Sequence, residues 1–154
     1  MDEAVSLSDW VRRGETYYNI PGDNPAQVLE NAVKIMRPPP GLTREAVTVA
    51  LLARESVMST AIGLGFAVPH PRETIVEHDS DAMIAVCYLE HLVDWAAPDG
   101  QAVGTLFVVL SADHSGHLAV LSSIAAAVQE EKFREFIDGK PTREELAVYW
   151  EKKR

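Results

Sequence analysis

The chain has 154 residues, 47% of them hydrophobic and 24% charged, which suits one domain with a single core and no need of a disulfide or metal staple. Its net charge of −9 argues against a nucleic-acid partner, since a phosphate backbone calls for a basic stripe, and fits steering toward a basic protein partner instead. No apolar run approaches the ~18 residues that a membrane span requires, so no membrane insertion is expected.

The opening, MDEAVSLSDWVRRGE, is acidic and has no apolar h-region. It does not read as a signal peptide, and the cytoplasm is the expected compartment. Residues 1–15 read as a loose N-terminal arm with one helical turn, ahead of a domain over 16–154. The basic clusters Arg12–Arg13 and Lys152–Lys153–Arg154 read as solvated ends. TYYNI (16–20) is β-prone and stops at Pro21–Gly22. Asn24 then caps a helix, with Pro25 at its first position and Gln27 completing a capping box. Val28, Ala32, Ile35 and Met36 form its apolar stripe. RPPPG (37–41) ends it, and Thr43 caps a second helix, TREAVTVALLARE.

MSTAIGLGFAVPHP reads as a loop feeding a short strand that ends at His70. AMIAVCYL (82–89) is a continuous apolar run, the mark of a strand covered on both faces. The single cysteine, Cys87, lies inside it and reads as a buried core thiol. A lone cysteine excludes a disulfide framework and a Cys-based zinc site. Pro98–Asp99–Gly100 is a turn, and GTLFVVLS (104–111) is a second buried strand. Asp113 caps a helix of about 17 residues whose inner face is expected to carry Leu118, Leu121, Ile124, Ala125 and Val128. EKFREFID follows, and then TREELAVYWEKK behind a Thr142 cap. Strands mixed with amphipathic helices argue for an α/β layer fold.

The candidate chemistry centres on His70. It stands between two prolines, in Val68-Pro69-His70-Pro71. Rigid neighbours suit a phosphoryl acceptor, because phosphoryl transfer depends on alignment; taken alone, a structural or surface histidine fits the same feature. Arg54 and Glu55 close the second helix, sixteen and fifteen residues before His70. A guanidinium there can neutralise phosphoryl oxygens, or simply complement the helix dipole. Ser59 and Thr60 offer hydroxyls to a phosphate, as many loop residues do. Gly63-Leu64-Gly65 is not a phosphate loop, since no Gly-Lys-Ser/Thr follows. His117 falls in the first turn of the long helix, on the face of Leu121, Ile124 and Val128. A helix N-terminus disfavours imidazolium, so a neutral ring there can donate to or orient a phosphoryl group; a capping or core histidine is the plainer alternative. His114 competes for the role, while His78 and His91 lie in polar segments.

Together these residues carry a resemblance. The segment from Arg54-Glu55 through Ser59-Thr60 and Gly63-Leu64-Gly65 to Ala67-Val68-Pro69-His70 resembles the signature of type-2 IIA proteins of the bacterial phosphotransferase system, the fructose, mannitol and nitrogen-regulatory family. Asp94 and Asp99-Gly100-Gln101-Ala102-Val103 resemble that family's hairpin region, and His117-Leu118-Ala119-Val120-Leu121 its second-histidine helix. The likeness spans roughly residues 16–150. It implies a three-layer sandwich with a mixed central β-sheet flanked by helices. It further implies a phosphotransferase component in which His70 accepts a phosphoryl group from HPr or its nitrogen-branch counterpart. Arg54 and His117 would stabilise the phosphorylated state, with Glu55, Ser59 and Thr60 as phosphate-contact candidates. No cofactor and no metal are implied. The wording around Ala53–Thr60 is most like the nitrogen-regulatory branch, whose members act on target proteins. Transport members instead pass the group to a IIB cysteine. Phe66 and Pro71 depart from the family's usual smaller residues, and Pro71 can offer no N–H. That departure motivates a third reading, a transfer-deficient binding module on the same fold.

Overall fold

The computed structural model describes residues 6–152. A mixed five-stranded sheet forms its middle layer, in the order β1-β4-β5-β3-β2. The strands are β1 (Thr16–Ile20), β2 (Ala61–Gly63), β3 (Phe66–Ala67), β4 (Met83–Val93) and β5 (Val103–Leu110). β1 runs parallel to β4, β4 antiparallel to β5, β5 parallel to β3, and β3 antiparallel to β2. The helices are α1 (Leu7–Arg13), α2 (Pro25–Ile35), α3 (Arg44–Val57), α4 (His114–Val128), α5 (Glu131–Asp138) and α6 (Arg143–Lys152). This is the three-layer sandwich that the resemblance implies.

The period of two along β4 sorts the core onto two faces. Met83, Ala85, Cys87 and Leu89 pack under α2 and α3, against Val28, Leu29, Val33 and Leu51. Ile84, Val86 and Tyr88 point the other way and pack under α1, α4, α5 and α6, against Val11, Ile124, Phe133 and Trp150. Cys87 is fully buried, and burial pushes its thiol up to about 12.

The caps act where the sequence places them. Asn24 accepts from the Gln27 amide at 2.9 Å, Thr43 from Ala46 at 3.0 Å and Asp113 from Gly116 at 2.7 Å. Gln27 returns its side chain to the Asp23 amide, one residue ahead of the cap itself. Thr142 and Glu145 form a reciprocal capping box, at 3.2 and 2.9 Å.

Several expectations need correction. Residues 6–15 are not a loose arm. Ser6 caps α1, Val11 enters the core, and Arg12 reaches Glu144 and Glu151 on α6 at 3.0 and 3.1 Å. Arg12 is therefore an interhelical clamp rather than a solvated end; residues 1–5 and 153–154 of the expected arm and basic tail lie outside the described residues. Ile35 is not part of the α2 stripe. It is 52% exposed, because Leu29, Val33 and Met36 complete the buried face and position 35 is turned about 100° from position 36. On α4 the buried face is His117, Val120, Ile124 and Val128. Leu118 and Ala125, one position round the helix, are exposed. The segment before His70 is a hairpin, β2–β3, rather than a loop feeding one strand. His70 lies three residues past the end of β3.

Gly14 tests how tightly α1 is built in. A Cβ at that position would meet the Ile84 carbonyl oxygen at 1.9 Å. Gly14→Ala should destabilise the fold by about 1–3 kcal/mol through overpacking against β4. Urea denaturation measures this, and an unchanged midpoint would mean that α1 is not fixed to the sheet.

Candidate functional site

Local chemistry fixes the hairpin that carries His70. The Glu55 carboxylate, at the end of α3, accepts from the Thr60 amide at 2.8 Å and from the Thr60 hydroxyl at 2.6 Å. Ser59 donates its hydroxyl to the Trp95 carbonyl and accepts from the Ala61 amide at 3.1 Å. Asp99 reaches across from the β4–β5 connection. One of its oxygens accepts from the Leu64 amide at 2.8 Å and the other from Gln101 at 3.0 Å. These amides hold the Asp99 carboxyl below its usual range. Beyond β3, Val68 donates to Thr60 and the Pro69 carbonyl accepts from Val109 on β5, both at 2.9 Å. Pairing thus continues to the residue before the histidine, although Pro69 itself has no N–H to give.

His70 is half-buried, and its Nδ1 lies 2.7 Å from the Val68 carbonyl oxygen. A carbonyl only accepts, so Nδ1 carries the hydrogen and the Nε2 lone pair of the neutral ring is free. His117, 9% exposed, places its ring 4.9 Å from that of His70, tilted by 58°. Its Nδ1 lies 2.8 Å from the Ser111 hydroxyl oxygen. Burial lowers the pKa of His70. The positive charge of Arg54 adds to that, while the Val68 bond and Glu55 oppose it. Burial lowers His117 further, to about 4, with smaller contributions from His70 and His114. Both rings are neutral at pH 7.

The arrangement brings together three of the expected residues: His70, His117 and Arg54. Arg54 walls the depression over His70 along with Thr60, Ile62, Leu121 and Ala125, and one of its nitrogens donates to the Met58 carbonyl at 2.6 Å. Ser59, like Thr60, lines the same depression. The hydroxyls of Ser59 and Thr60 are committed to protein acceptors, and Glu55 secures the turn into the hairpin. His114 is exposed, one turn before His117, and His78 and His91 are exposed elsewhere. Phe66 does not narrow the depression; its ring stacks on Phe107 in the core, centroids 5.8 Å apart. A larger apolar groove walled by Leu52 and Trp95 adjoins Glu55 but contains neither histidine of the pair.

The family described as "Phosphoenolpyruvate-dependent sugar phosphotransferase system, EIIA 2" matches residues 16–152. The chain belongs to this family. A nitrogen regulatory protein of Pseudomonas aeruginosa is 32% identical over 145 residues, 92% of each chain. Among solved structures, the nitrogen regulatory protein IIA-Ntr of Neisseria meningitidis superimposes with a TM-score of 0.75 at 27% identity, covering 94% of both chains. The mannitol IIA of Escherichia coli, in a complex with its phosphorylated IIB, shares the fold at 17% identity. Its TM-score is 0.55, over 76% of this chain and 80% of that one.

Sequence reasoning passed over Ser111, the Val68 carbonyl and the bracing function of Asp99. Asp99 was visible in an Asp-Gly turn, but its grip on Leu64 joins segments 35 residues apart. The other two contacts leave no mark in residue type or spacing.

Two measurements test this geometry. Glu55→Gln can accept only one of the two Thr60 hydrogen bonds, and should cost about 1.5–3 kcal/mol in urea unfolding. The second is the pH dependence of stability. The folded pKa of His117, about 4, lies below the ordinary 6.5, so the unfolded chain takes up this proton first. Stability is full above about pH 6.5 and falls as pH drops toward 4, by about 2 kcal/mol at pH 5 from this group. His70 contributes in the same direction. His117→Gln should flatten the decline between pH 7 and 5; an equally steep decline would show that His117 is not held neutral.

Proposed function

We propose that this chain is a regulatory phosphoryl carrier, taking a phosphoryl group on Nε2 of His70 from a phosphohistidine of an HPr-like donor protein. The observation that carries the reading is the free Nε2 of a neutral, half-buried His70, set beside a buried neutral His117 and the guanidinium of Arg54. The lone pair on Nε2 attacks phosphorus in line, and the donor's P–N bond breaks as its imidazole leaves. The phosphoryl oxygens meet Arg54 as a fixed positive charge and His117 as a neutral neighbour. The group is held as a reactive phosphoramidate and can pass onward or back.

Exposed apolar side chains on the two helices that help line the depression, α3 and α4, suit a protein donor. Val57 and Met58 close α3 on one side and are 75% and 69% exposed; Leu118 lies on α4 on the other, 50% exposed. Regulation rather than transport is favoured because the nitrogen regulatory relatives match over nearly the whole chain, whereas the mannitol protein shares the fold alone. Among the described residues, no helix is long and apolar enough to cross a membrane. The cytoplasm, where such donors work, is the proposed compartment.

Incubation with phosphoenolpyruvate, enzyme I and HPr should add the mass of one phosphoryl group, labile in acid and stable in alkali. His70→Ala should abolish the addition and still fold, since the side chain is only half-buried. His117→Ala should accept the group about tenfold to a hundredfold more slowly, as expected for one lost hydrogen bond to a charged group. Acceptance should fail at acid pH, with its limb below 6.5 because burial depresses the His70 pKa. Label on His70→Ala would refute the assignment. Onward transfer confined to a IIB cysteine would place the chain in transport.

A further inference from the structure

Ser111 follows the last residue of β5, on the short bend that leads to Asp113 and α4. It is 2% exposed, and its backbone carbonyl is tied to the Val76 amide at 3.2 Å. Its hydroxyl oxygen lies 2.8 Å from Nδ1 of His117, and among the described residues the hydroxyl has no other hydrogen-bond partner. We propose that Ser111 is a positioning residue of the transfer site: its hydroxyl donates to Nδ1 of His117 and thereby fixes the hydrogen of that ring on Nε2. The proposal rests on the carrier reading for its purpose, but it stands on hydrogen accounting for its content.

A neutral imidazole carries one N–H, so only two arrangements of this pair exist. If His117 donated from Nδ1, the serine hydrogen would be left in the interior with nothing to bond, and burying an unmade hydrogen bond is costly. If the serine donates, both groups are satisfied. The first turn of α4 favours the neutral ring in either case. The second arrangement leaves Nε2–H as the free polar group of a ring packed on His70. An N–H there can donate to a phosphoryl oxygen held on His70, whereas a bare lone pair would repel it.

The two histidines then hold opposite tautomers, each set by the atom behind it. The Val68 carbonyl can only accept, so it forces the hydrogen of His70 onto Nδ1 and frees Nε2 as nucleophile. The Ser111 hydroxyl can donate, so it frees Nδ1 of its hydrogen and makes Nε2 of His117 the donor. A nucleophile and a hydrogen-bond donor arise from two copies of one side chain, with no metal needed to tell them apart. Replacing the serine removes this distinction at His117 without touching either ring.

The test is the tautomer of His117 in the full chain labelled with 15N-histidine, read from long-range proton–nitrogen correlation spectra at neutral pH. The wild type should show hydrogen on Nε2 alone. Ser111→Ala should show a mixture of tautomers and a phosphohistidine lifetime shortened by roughly threefold to tenfold; Ser111→Thr, which keeps the hydroxyl, should restore the single tautomer. A wild-type ring protonated on Nδ1 overturns the proposal with no variant needed. So does Ser111→Ala with the wild-type tautomer and lifetime. The spectra are recorded on unphosphorylated protein, so a chain that takes no phosphoryl group would refute the carrier reading and not the serine's part.

Discussion

The site exists because β3 pairs in parallel with β5. Phe66 sits opposite Thr105 and Ala67 opposite Leu106, and the pairing carries on to the Pro69 carbonyl and the Val109 amide. Parallel strands end on the same side of a sheet, so His70, just past β3, arrives where β5 ends and the chain bends through Ser111 into α4. The N-terminal turn of α4 carries His117 at that end. A shift of one residue in the register would turn Phe66 out of the core under α4, α5 and α6 and move His70 away from its partner. The hairpin is short, and its position is over-determined from outside: Glu55 grips its entry, Asp99 its tip, and the Trp95 carbonyl the residue before the grip.

Burial sets the chemistry by keeping charge out. An imidazolium cannot attack phosphorus, and a second cation beside His70 would lower its basicity further. Burial in a half-closed depression disfavours protonation of both rings, and the neighbouring His70 adds to this at His117. The cost is stability at acid pH, since the unfolded chain binds protons that the folded chain refuses. In the proposed transfer, the positive charge offered to a phosphoryl group is instead that of Arg54. The carbonyl of Met58 holds that guanidinium near the mouth of the depression. On the proposed reading, a protein donor would meet this site across the exposed side chains of Val57, Met58 and Leu118, so that docking and chemistry share one face.

Much of this was legible in the sequence. Caps at Asn24, Thr43, Asp113 and Thr142 marked helix starts because capping is local chemistry, and apolar runs marked β4 and β5 because both are covered on two faces. That His70, Arg54 and His117 come together was legible through the motif. The hairpin was not, since β2 and β3 are so short that Gly63-Leu64-Gly65 dominates their composition. The faces of α4 were misread because an alanine-rich helix has apolar residues all round, and only packing decides which of Leu118 and Val120 goes inside. That the Ser59 and Thr60 hydroxyls donate to Trp95 and Glu55 was not legible, because a hydroxyl's partner is a matter of three-dimensional placement. The hold of Glu55 on Thr60 was hidden for the same reason.

The central claim is that the Val68 carbonyl frees Nε2 of His70 for the phosphoryl group. Nitrogen and phosphorus NMR on the phosphorylated chain, labelled with 15N-histidine, tests it most directly by identifying the nitrogen bonded to phosphorus. The account predicts phosphorus on Nε2 of His70, with Nδ1 still carrying its hydrogen. Phosphorus on Nδ1 of that ring, or on His114 or His117, would contradict it.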